Sequence, residues 1–256
     1  LFGMYNVGYQ HYLSIGELAR TSFWSIFFFG FLAVLPKIVV AYVVGLGIEF
    51  TAAQIRHHEI QEGFLVSGML IPMIVPVDTP LWMIAVATAF AVIFAKEVFG
   101  GTGMNIFNIA LVTRAFLFFA YPSKMSGDEV FIRTSDTFGL GAGQIVEGIC
   151  NWFANPDIYP AAQLSPACQI CLGGFAFAAV FMATDPVTGS RTNTGKYIFG
   201  FLVGVLAILI RVFNTGYPEG AMLAVLLMNA FAPLIDYFVV EANIRHRLKR
   251  AKNLTK

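Results

Sequence analysis

Residues 63–78 read Gly63-Phe-Leu-Val-Ser-Gly-Met-Leu-Ile-Pro-Met-Ile-Val-Pro-Val-Asp78. A helix needs about 20 residues to cross the hydrocarbon core of a bilayer. The apolar part from Gly63 to Val77 has 15 residues and contains two prolines, so it is too short and too broken to span comfortably. Broken backbone at membrane depth is tolerated where protein or a water-filled cavity surrounds it. We therefore predict a short, interrupted or re-entrant segment here.

A second copy of this pattern follows later in the chain. Residues 174–187, Gly174-Phe-Ala-Phe-Ala-Ala-Val-Phe-Met-Ala-Thr-Asp-Pro-Val187, repeat it at an offset of 111 residues. The stretch that begins at Lys96 is similar to the one that begins at Arg211, at an offset of 114 between Val98 and Val212. Interrupted segments in matching positions of two halves are typical of a site at the repeat interface near the membrane midplane. We predict two related halves.

The composition places the chain in a membrane. Of its 256 residues 57% are apolar and only 12% are charged, and the mean hydropathy is +0.72; soluble domains carry about a quarter charged residues. A soluble enzyme is thereby disfavoured. The net charge of +1, without an extended basic patch, gives no electrostatic footprint for nucleic acid.

The remaining apolar stretches complete an all-helical integral membrane protein. They are 22–48 (with Pro36 predicting a kink or a break), 79–99, 105–121, 168–184, 196–214 and 222–240. We expect a first membrane half at 1–121, an extramembrane loop and shortened region at 122–166, a second membrane half at 167–241 and a basic tail at 242–256. The tail holds six of the sixteen basic residues and no acid, which predicts a cytoplasmic C-terminus.

Several acids lie within or at the ends of apolar segments, where an unpaired charge is costly and marks an ion path or an internal pair. Glu49, Asp185 and Asp236 have no neighbour of opposite sign in the sequence, and both interpretations stay open for them. For Glu97 we favour a structural pair with Lys96 or Arg114. The three cysteines are too few for a disulfide framework, and small buried cysteines explain Cys168 and Cys171 better than a metal half-site.

Two asparagines could hydrogen-bond to a ring that has amide and imide edges. Asn105 and Asn108 are three residues apart, which would place them on one helical face, and each presents donors and acceptors suited to a flavin or a nucleobase. Helix capping and interhelical hydrogen bonds explain the same pattern equally well. Gly45 and Gly47, beside Glu49, permit either close helix packing, which we favour, or approach of a ligand.

Four motifs together resemble a known family: Lys96-Glu-Val-Phe-Gly-Gly-Thr-Gly-Met-Asn-Ile-Phe-Asn108, Arg114-Ala-Phe-Leu-Phe-Phe-Ala-Tyr-Pro122, Phe181-Met-Ala-Thr-Asp-Pro-Val187 and Tyr217-Pro-Glu-Gly-Ala-Met222. The chain is similar to the family of the B subunit of the bacterial Na⁺-translocating NADH:quinone reductase, whose relative is the D subunit of the Rnf ferredoxin:NAD reductase. The resemblance implies a urea-transporter-like fold and a six-subunit complex of the bacterial inner membrane. It also implies bound FMN and riboflavin, with electrons passing to ubiquinone while Na⁺ is exported.

Site residues follow from the resemblance position by position. It implies riboflavin contacts for Asn105 and Asn108, a quinone pocket at Gly45 and Leu46, and an ion path through acids. Those acids are Glu49, Asp185 and Asp236.

This chain also departs from the family pattern. The Ser-Gly-Ala-Thr or Ser-Thr-Ala-Thr sequence that carries covalent FMN is absent, and Thr134 and Thr137 lack its context. The stretch of residues 148–168 is too short for two membrane helices that the family has there, and the family's N-terminal cytoplasmic segment is missing. Leu46 replaces the second glycine of the quinone pair, and Ile109 replaces the usual proline.

Two other functions remain compatible with the sequence. A non-redox solute or ion transporter would use the same broken-helix duplication. An Rnf-type subunit would share the flavins and serve ferredoxin and NAD. The Tyr5-Asn-Val-Gly8 opening and the motif at Arg114 favour the quinone reductase.

Overall fold

A computed structural model of the protein describes residues 1–57, 63–101, 103–125, 166–171, 174–213 and 220–254. Within these ranges the chain forms helices and turns and no strand, which confirms the all-helical prediction. The chain divides into two compact units, one of Leu1–Asn105 with Ile109–Phe153 and one of Ile106–Asn108 with Ala154–Lys256. A urea-transporter-like arrangement of the two halves stays a prediction.

The first unit contains six described helices: α1 (Phe2–Ile15), α2 (Phe23–Arg56), α3 (Phe64–Ile74), α4 (Leu81–Ala91), α5 (Ile109–Ala120) and α6 (Pro122–Met125). Helix α2 continues through Pro36, so of the two alternatives predicted there the break is wrong and a single helix is right. Its 34 residues extend about 50 Å, longer than the hydrocarbon core. Helix α3 has 11 residues, which confirms the short segment predicted from residues 63–77.

Close helix packing joins α1, which the sequence analysis does not identify, to α2. A Cβ on Gly8 would lie 1.9 Å from the carbonyl oxygen of Ile26, and one on Gly30 would lie 1.7 Å from that of Met4. Aromatic rings line the same crossing, with His11 stacked on Phe29 at 4.0 Å between ring centroids. Only glycine allows the two backbones to approach this closely.

Helix α4 changes its winding at its end. A π-helical turn at Val92–Lys96 and a 3₁₀ turn at Glu97–Phe99 follow it, and Gly100 ends the run with φ of 115°. A π turn inserts one residue into the helix, and such insertions occur frequently at functional sites. Consecutive residues at this point therefore face directions that an ideal helix would not give them.

The second unit contains four described helices: α7 (Pro166–Cys171), α8 (Phe175–Phe177, continued by a π turn at Ala178–Met182), α9 (Asn193–Phe213) and α10 (Gly220–Leu254). Helix α10 runs through Pro233 and through most of the basic tail. Small residues pack its first turns against the π turn and α9, namely Ala178, Ala207, Ala221 and Ala224. Cys168 is disulfide-bonded and only half-buried, so the interpretation of Cys168 as a small buried cysteine is wrong.

Four described helices are long and apolar enough to cross a membrane: Phe23–Arg56, Leu81–Phe99, Asn193–Arg211 and Gly220–Lys252. Helices α3 and α5 are apolar but shorter. Only 22% of the most apolar window of α2 is buried by protein. Lipid-facing apolar side chains account for such exposure in a membrane helix. The predicted loop at 122–166 and the turn at Gly216–Gly220 lie largely outside the described residues.

Candidate functional site

A buried ion pair joins α2 to the π turn that follows α4. The Lys96 ammonium contacts the Glu49 carboxylate, and the two side chains are 2% and 6% exposed. Glu49 is therefore paired, although the sequence offered it no partner. Lys96, predicted as a partner of Glu97, turns instead toward α2.

A second ion pair lies two helical turns further along α2. Arg56 Nη1 lies 3.4 Å from Glu97 Oε2, and Arg56 Nη2 donates to the Glu97 carbonyl at 2.6 Å. Glu97 forms a structural ion pair, as predicted, but its partner is Arg56 and not Lys96 or Arg114, because the change of winding after α4 directs Lys96 and Glu97 to different residues of α2. Glu49 and Arg56 are seven residues apart and share one helix face.

Gly45 lies one turn before Glu49 and packs against an aromatic ring. A Cβ at this position would lie 1.9 Å from Cζ of Phe64, whose side chain is fully buried. Close packing, the interpretation favoured from the sequence, describes Gly45. It does not describe Gly47, whose Cβ would meet nothing within 4 Å. Leu46, between the two glycines, is half-buried.

Two buried cations bind the end of α3 and the turn after it: Lys37, for which no role was predicted, and Arg114, which was predicted only as a possible partner of Glu97. Lys37 Nζ donates to the carbonyls of Pro76 and Val77, and Arg114 Nη1 donates to the Ile74 carbonyl at 2.5 Å. A helix end leaves its last carbonyls unpaired. The sequence contained one signal for these contacts: both cations are isolated basic residues within apolar segments. That they lie near the proline-containing helix α3 is visible only in the structure.

In the second unit, Asn108 and Asp185 come together. Asn108 Nδ2 donates to Asp185 Oδ2 at 3.1 Å, and Asn108 is 5% exposed. Asp185 also accepts from the Thr188 hydroxyl at 3.0 Å and the Val187 amide at 3.1 Å. The prediction that Asn105 and Asn108 share a helical face is wrong, because α5 begins only at Ile109. Asn105 belongs to the first unit and Asn108 to the second.

Asp236 binds the start of α9 from the middle of α10. Its carboxylate accepts from the Ser190 hydroxyl at 2.5 Å and the Arg191 amide at 2.7 Å. It also accepts from the Thr192 hydroxyl at 2.6 Å and the Thr192 amide at 3.0 Å. Four donors occupy the capacity of an ionised carboxylate, so Asp236 satisfies the turn of residues 190–192 before α9. The Thr192 hydroxyl caps α9 itself by accepting from the Gly195 amide at 3.1 Å.

A cavity of about 590 Å³ lies within the second unit. Its lining includes the polar residues Asp185, Ser190, Arg191 and Lys196 and small residues such as Ala178 and Gly200. This volume falls in the range of small-molecule and cofactor sites. Asp185 lines the cavity, and Asn108, which donates to it, lies behind it and not in the lining.

Comparison with known proteins gives one consistent result. Residues 1–144 and 137–245 match the model of the NQR2, RnfD, RnfE family. The B subunit of the Na⁺-translocating NADH-quinone reductase of Ectopseudomonas mendocina is 38% identical over 97% of this chain and 82% of its own length. The proteins of the same name from Stutzerimonas stutzeri and Pseudomonas aeruginosa are each 36% identical over the same shares. These alignments run over 332 positions, so the relatives carry internal residues that this chain lacks.

Proposed function

Because the chain belongs to the NQR2, RnfD, RnfE family, we propose that it is the B-type membrane subunit of a Na⁺-translocating NADH:quinone reductase. The observation that carries this function is 36–38% identity to proteins of that name over 97% of the chain. The subunit is expected to work in a six-subunit complex that passes electrons to ubiquinone and exports Na⁺.

The proposed setting is the bacterial inner membrane. Four described helices have the length and hydropathy of membrane spans, and α10 extends well beyond its apolar part. Its last turns carry Arg245, Arg247, Lys249, Arg250 and Lys252. Basic residues next to a span remain on the cytoplasmic side, so the C-terminal end of α10 is expected to face the cytoplasm.

Riboflavin is the ligand we propose for the cavity in the second unit. The 590 Å³ volume is large enough for a three-ring system, and Asp185, Ser190 and Lys196 supply polar groups in its lining. Asp185, first predicted for the ion path, would then contact the ring, and Asn108 would hold the Asp185 carboxylate in position through its hydrogen bond. A bound flavin supplies the electron transfer, while the protein orients the ring and keeps water away. A riboflavin contact at Asn105 stays a prediction.

Covalent FMN does not fit the residues that are present. The family attachment sequence is absent from the chain, and Thr134 and Thr137 lie outside the described residues. No step of the proposed function is therefore assigned to an FMN bound to this chain.

We place the quinone near Gly45 and Leu46. The Phe64 ring fills the space before Gly45 and is fully buried, so the half-buried Leu46 is the residue of this pair that would offer apolar surface to ubiquinone. Among the acids predicted for the ion path, Glu49 differs from the others. In the described part of the chain its carboxylate oxygens accept no hydrogen bond beyond the contact with Lys96, whereas Asp185 and Asp236 accept several. Glu49 is the acid best prepared to receive Na⁺.

The test uses the complex purified from its source membrane. We expect NADH-driven reduction of a soluble ubiquinone that rises with added Na⁺, and a non-covalent flavin released on denaturation. Asn108→Leu should lower the flavin content by more than half, while Asn193→Ala, an exposed residue at the start of α9, should leave it unchanged. Na⁺-independent activity with ferredoxin would assign the chain to an Rnf-type complex, and solute flux without NADH would make it a transporter.

A further inference from the structure

Glu49 and Lys96 are enclosed and depend on each other. Both side chains are more than nine-tenths buried. Apart from their contact with each other, Glu49 Oε1, Glu49 Oε2 and Lys96 Nζ have no hydrogen-bond partner in the described part of the chain. An ionised carboxylate can accept about four hydrogen bonds and an ammonium can donate three. The pair thus leaves most of its hydrogen-bonding capacity unused in the protein interior, where unsatisfied polar groups are costly.

Asp236 shows what a fully hydrogen-bonded carboxylate looks like in this protein. Its four donors come from the backbone and from hydroxyl groups of one short segment, and they leave no room for a cation. Within the described residues Glu49 contacts one cation, the ammonium at the end of the long Lys96 side chain. A carboxylate held in this way can exchange one cation for another without breaking a backbone contact.

The backbone around Lys96 allows such an exchange. Lys96 ends a π turn, a 3₁₀ turn follows at Glu97–Phe99, and Gly100 and Gly101 then adopt positive φ angles. The ammonium sits on a four-carbon stem with several rotatable bonds. The adjacent pair of Arg56 with Glu97 holds the same two elements together through both a side chain and a backbone carbonyl, so Lys96 can leave Glu49 while the elements remain joined.

We propose that the Lys96 ammonium occupies the place of the transported cation at Glu49, so that Na⁺ must displace it and Lys96 sets the Na⁺ affinity of the path. This proposal rests on the proposed function, because it assumes that Na⁺ reaches Glu49. When Na⁺ binds, the carboxylate keeps one positive partner and the ammonium moves away from it. The buried carboxylate is never left without a counter-charge, which in a membrane would be prohibitive.

The experiment measures the Na⁺ concentration that gives half-maximal quinone reduction by the whole complex at pH 8, where protons compete least. Lys96→Met keeps the stem and removes the competing charge, so this concentration should fall on the order of tenfold. Lys96→Arg should raise it, because a guanidinium stays charged and grips a carboxylate through two donors. Arg56→Met, at the more exposed pair on the same elements, is the matched control and should change it less than about twofold.

Each outcome of this experiment either supports or rejects the proposed role of Lys96. An unchanged or higher Na⁺ requirement in Lys96→Met, with a wild-type complex that responds to Na⁺, rejects that role and leaves the proposed function intact. Equal shifts in Lys96→Met and Arg56→Met also overturn it, because they indicate a general disturbance. If Lys96→Met does not assemble, Lys96→Arg decides: a raised requirement supports the proposal and an unchanged one rejects it. A wild-type complex with no Na⁺ response rejects the proposed function, and this inference with it.

Discussion

The two interrupted segments of the molecule are stabilised by opposite charges. In the first unit, the turn after α3 presents carbonyls, and two cations, Lys37 and Arg114, bind them. In the second unit, the turn after the π segment at Ala178–Met182 presents amides and hydroxyls, and two carboxylates, Asp185 and Asp236, accept from them. The two copies of the sequence repeat thus share the interrupted helix but differ in the charged side chains that bind the polar groups at the interruption.

The difference follows from which polar groups each turn presents. The end of α3 exposes carbonyl oxygens, which carry the partial negative charge of a helix C-terminus and attract cations. The turn before α9 presents amide and hydroxyl groups, which donate to carboxylates. A membrane interior offers no water to either set, so each unit supplies charged side chains. We therefore expect the charge at each break to decide its stability.

The largest effect is expected at Asp236. Asp236→Ala removes the acceptor of four hydrogen bonds and leaves the Arg191 and Thr192 amides unpaired, which should cost about 3 kcal/mol of stability. Thermal loss of the monodisperse complex in detergent measures this. Asp236→Asn retains an acceptor oxygen and should lose about half as much. Equal stability of Asp236→Ala and wild type would remove the carboxylate half of the comparison.

A smaller loss is expected at Lys37. Lys37→Met keeps the stem but withdraws the donor from Val77, while Pro76 still accepts from the Thr79 amide, so about 2 kcal/mol should be lost. Val43→Met, on the lipid-exposed face of the same helix, is the control and should be neutral in the same thermal assay. A control that destabilises as much as Lys37→Met would show that the carbonyl contact contributes nothing specific.

Glycine substitutions test how tightly each unit closes around its break. Gly195→Ala would put a Cβ 2.1 Å from the Ser190 hydroxyl oxygen, beside the Asp236 contacts, and should cost about 1–2 kcal/mol through overpacking. Gly200→Ala on the same helix meets nothing within 4 Å and should be neutral or slightly stabilising. The same contrast is expected between Gly45→Ala and Gly47→Ala in the first unit. The midpoint of thermal unfolding ranks all four variants.

The smallest effect is expected at Arg56. Its side chain is 41% exposed and its ion pair with Glu97 is 3.4 Å long, so Arg56→Gln should change stability by less than about 1 kcal/mol. Raising the salt concentration should reduce even that difference, because exposed pairs are screened. A loss as large as that of Lys37→Met would place Arg56 among the groups that hold the first break together.

Local patterns in the sequence account for much of the fold. The apolar runs predict most of the described helices, and the 15 residues from Gly63 to Val77 correctly predict a helix too short to span. Motifs such as the one at Lys96 point to the family without any structure. Prolines are less decisive: α2 and α10 continue through Pro36 and Pro233, because packing and a lipid setting favour continued helix where water would favour a break.

What the sequence determined by itself is the membrane setting, the all-helical class, the short broken segments and the family, since these depend on composition and on residues close together in the chain. Only the tertiary structure decided the partners: Glu49 with Lys96, Arg56 with Glu97, Asn108 with Asp185, and Asp236 with the start of α9. These pairs are 41 to 77 residues apart, and a π turn redirects Lys96 and Glu97. Partners of buried charges are chosen by three-dimensional proximity and by the need to satisfy every polar group away from water, which no local pattern records.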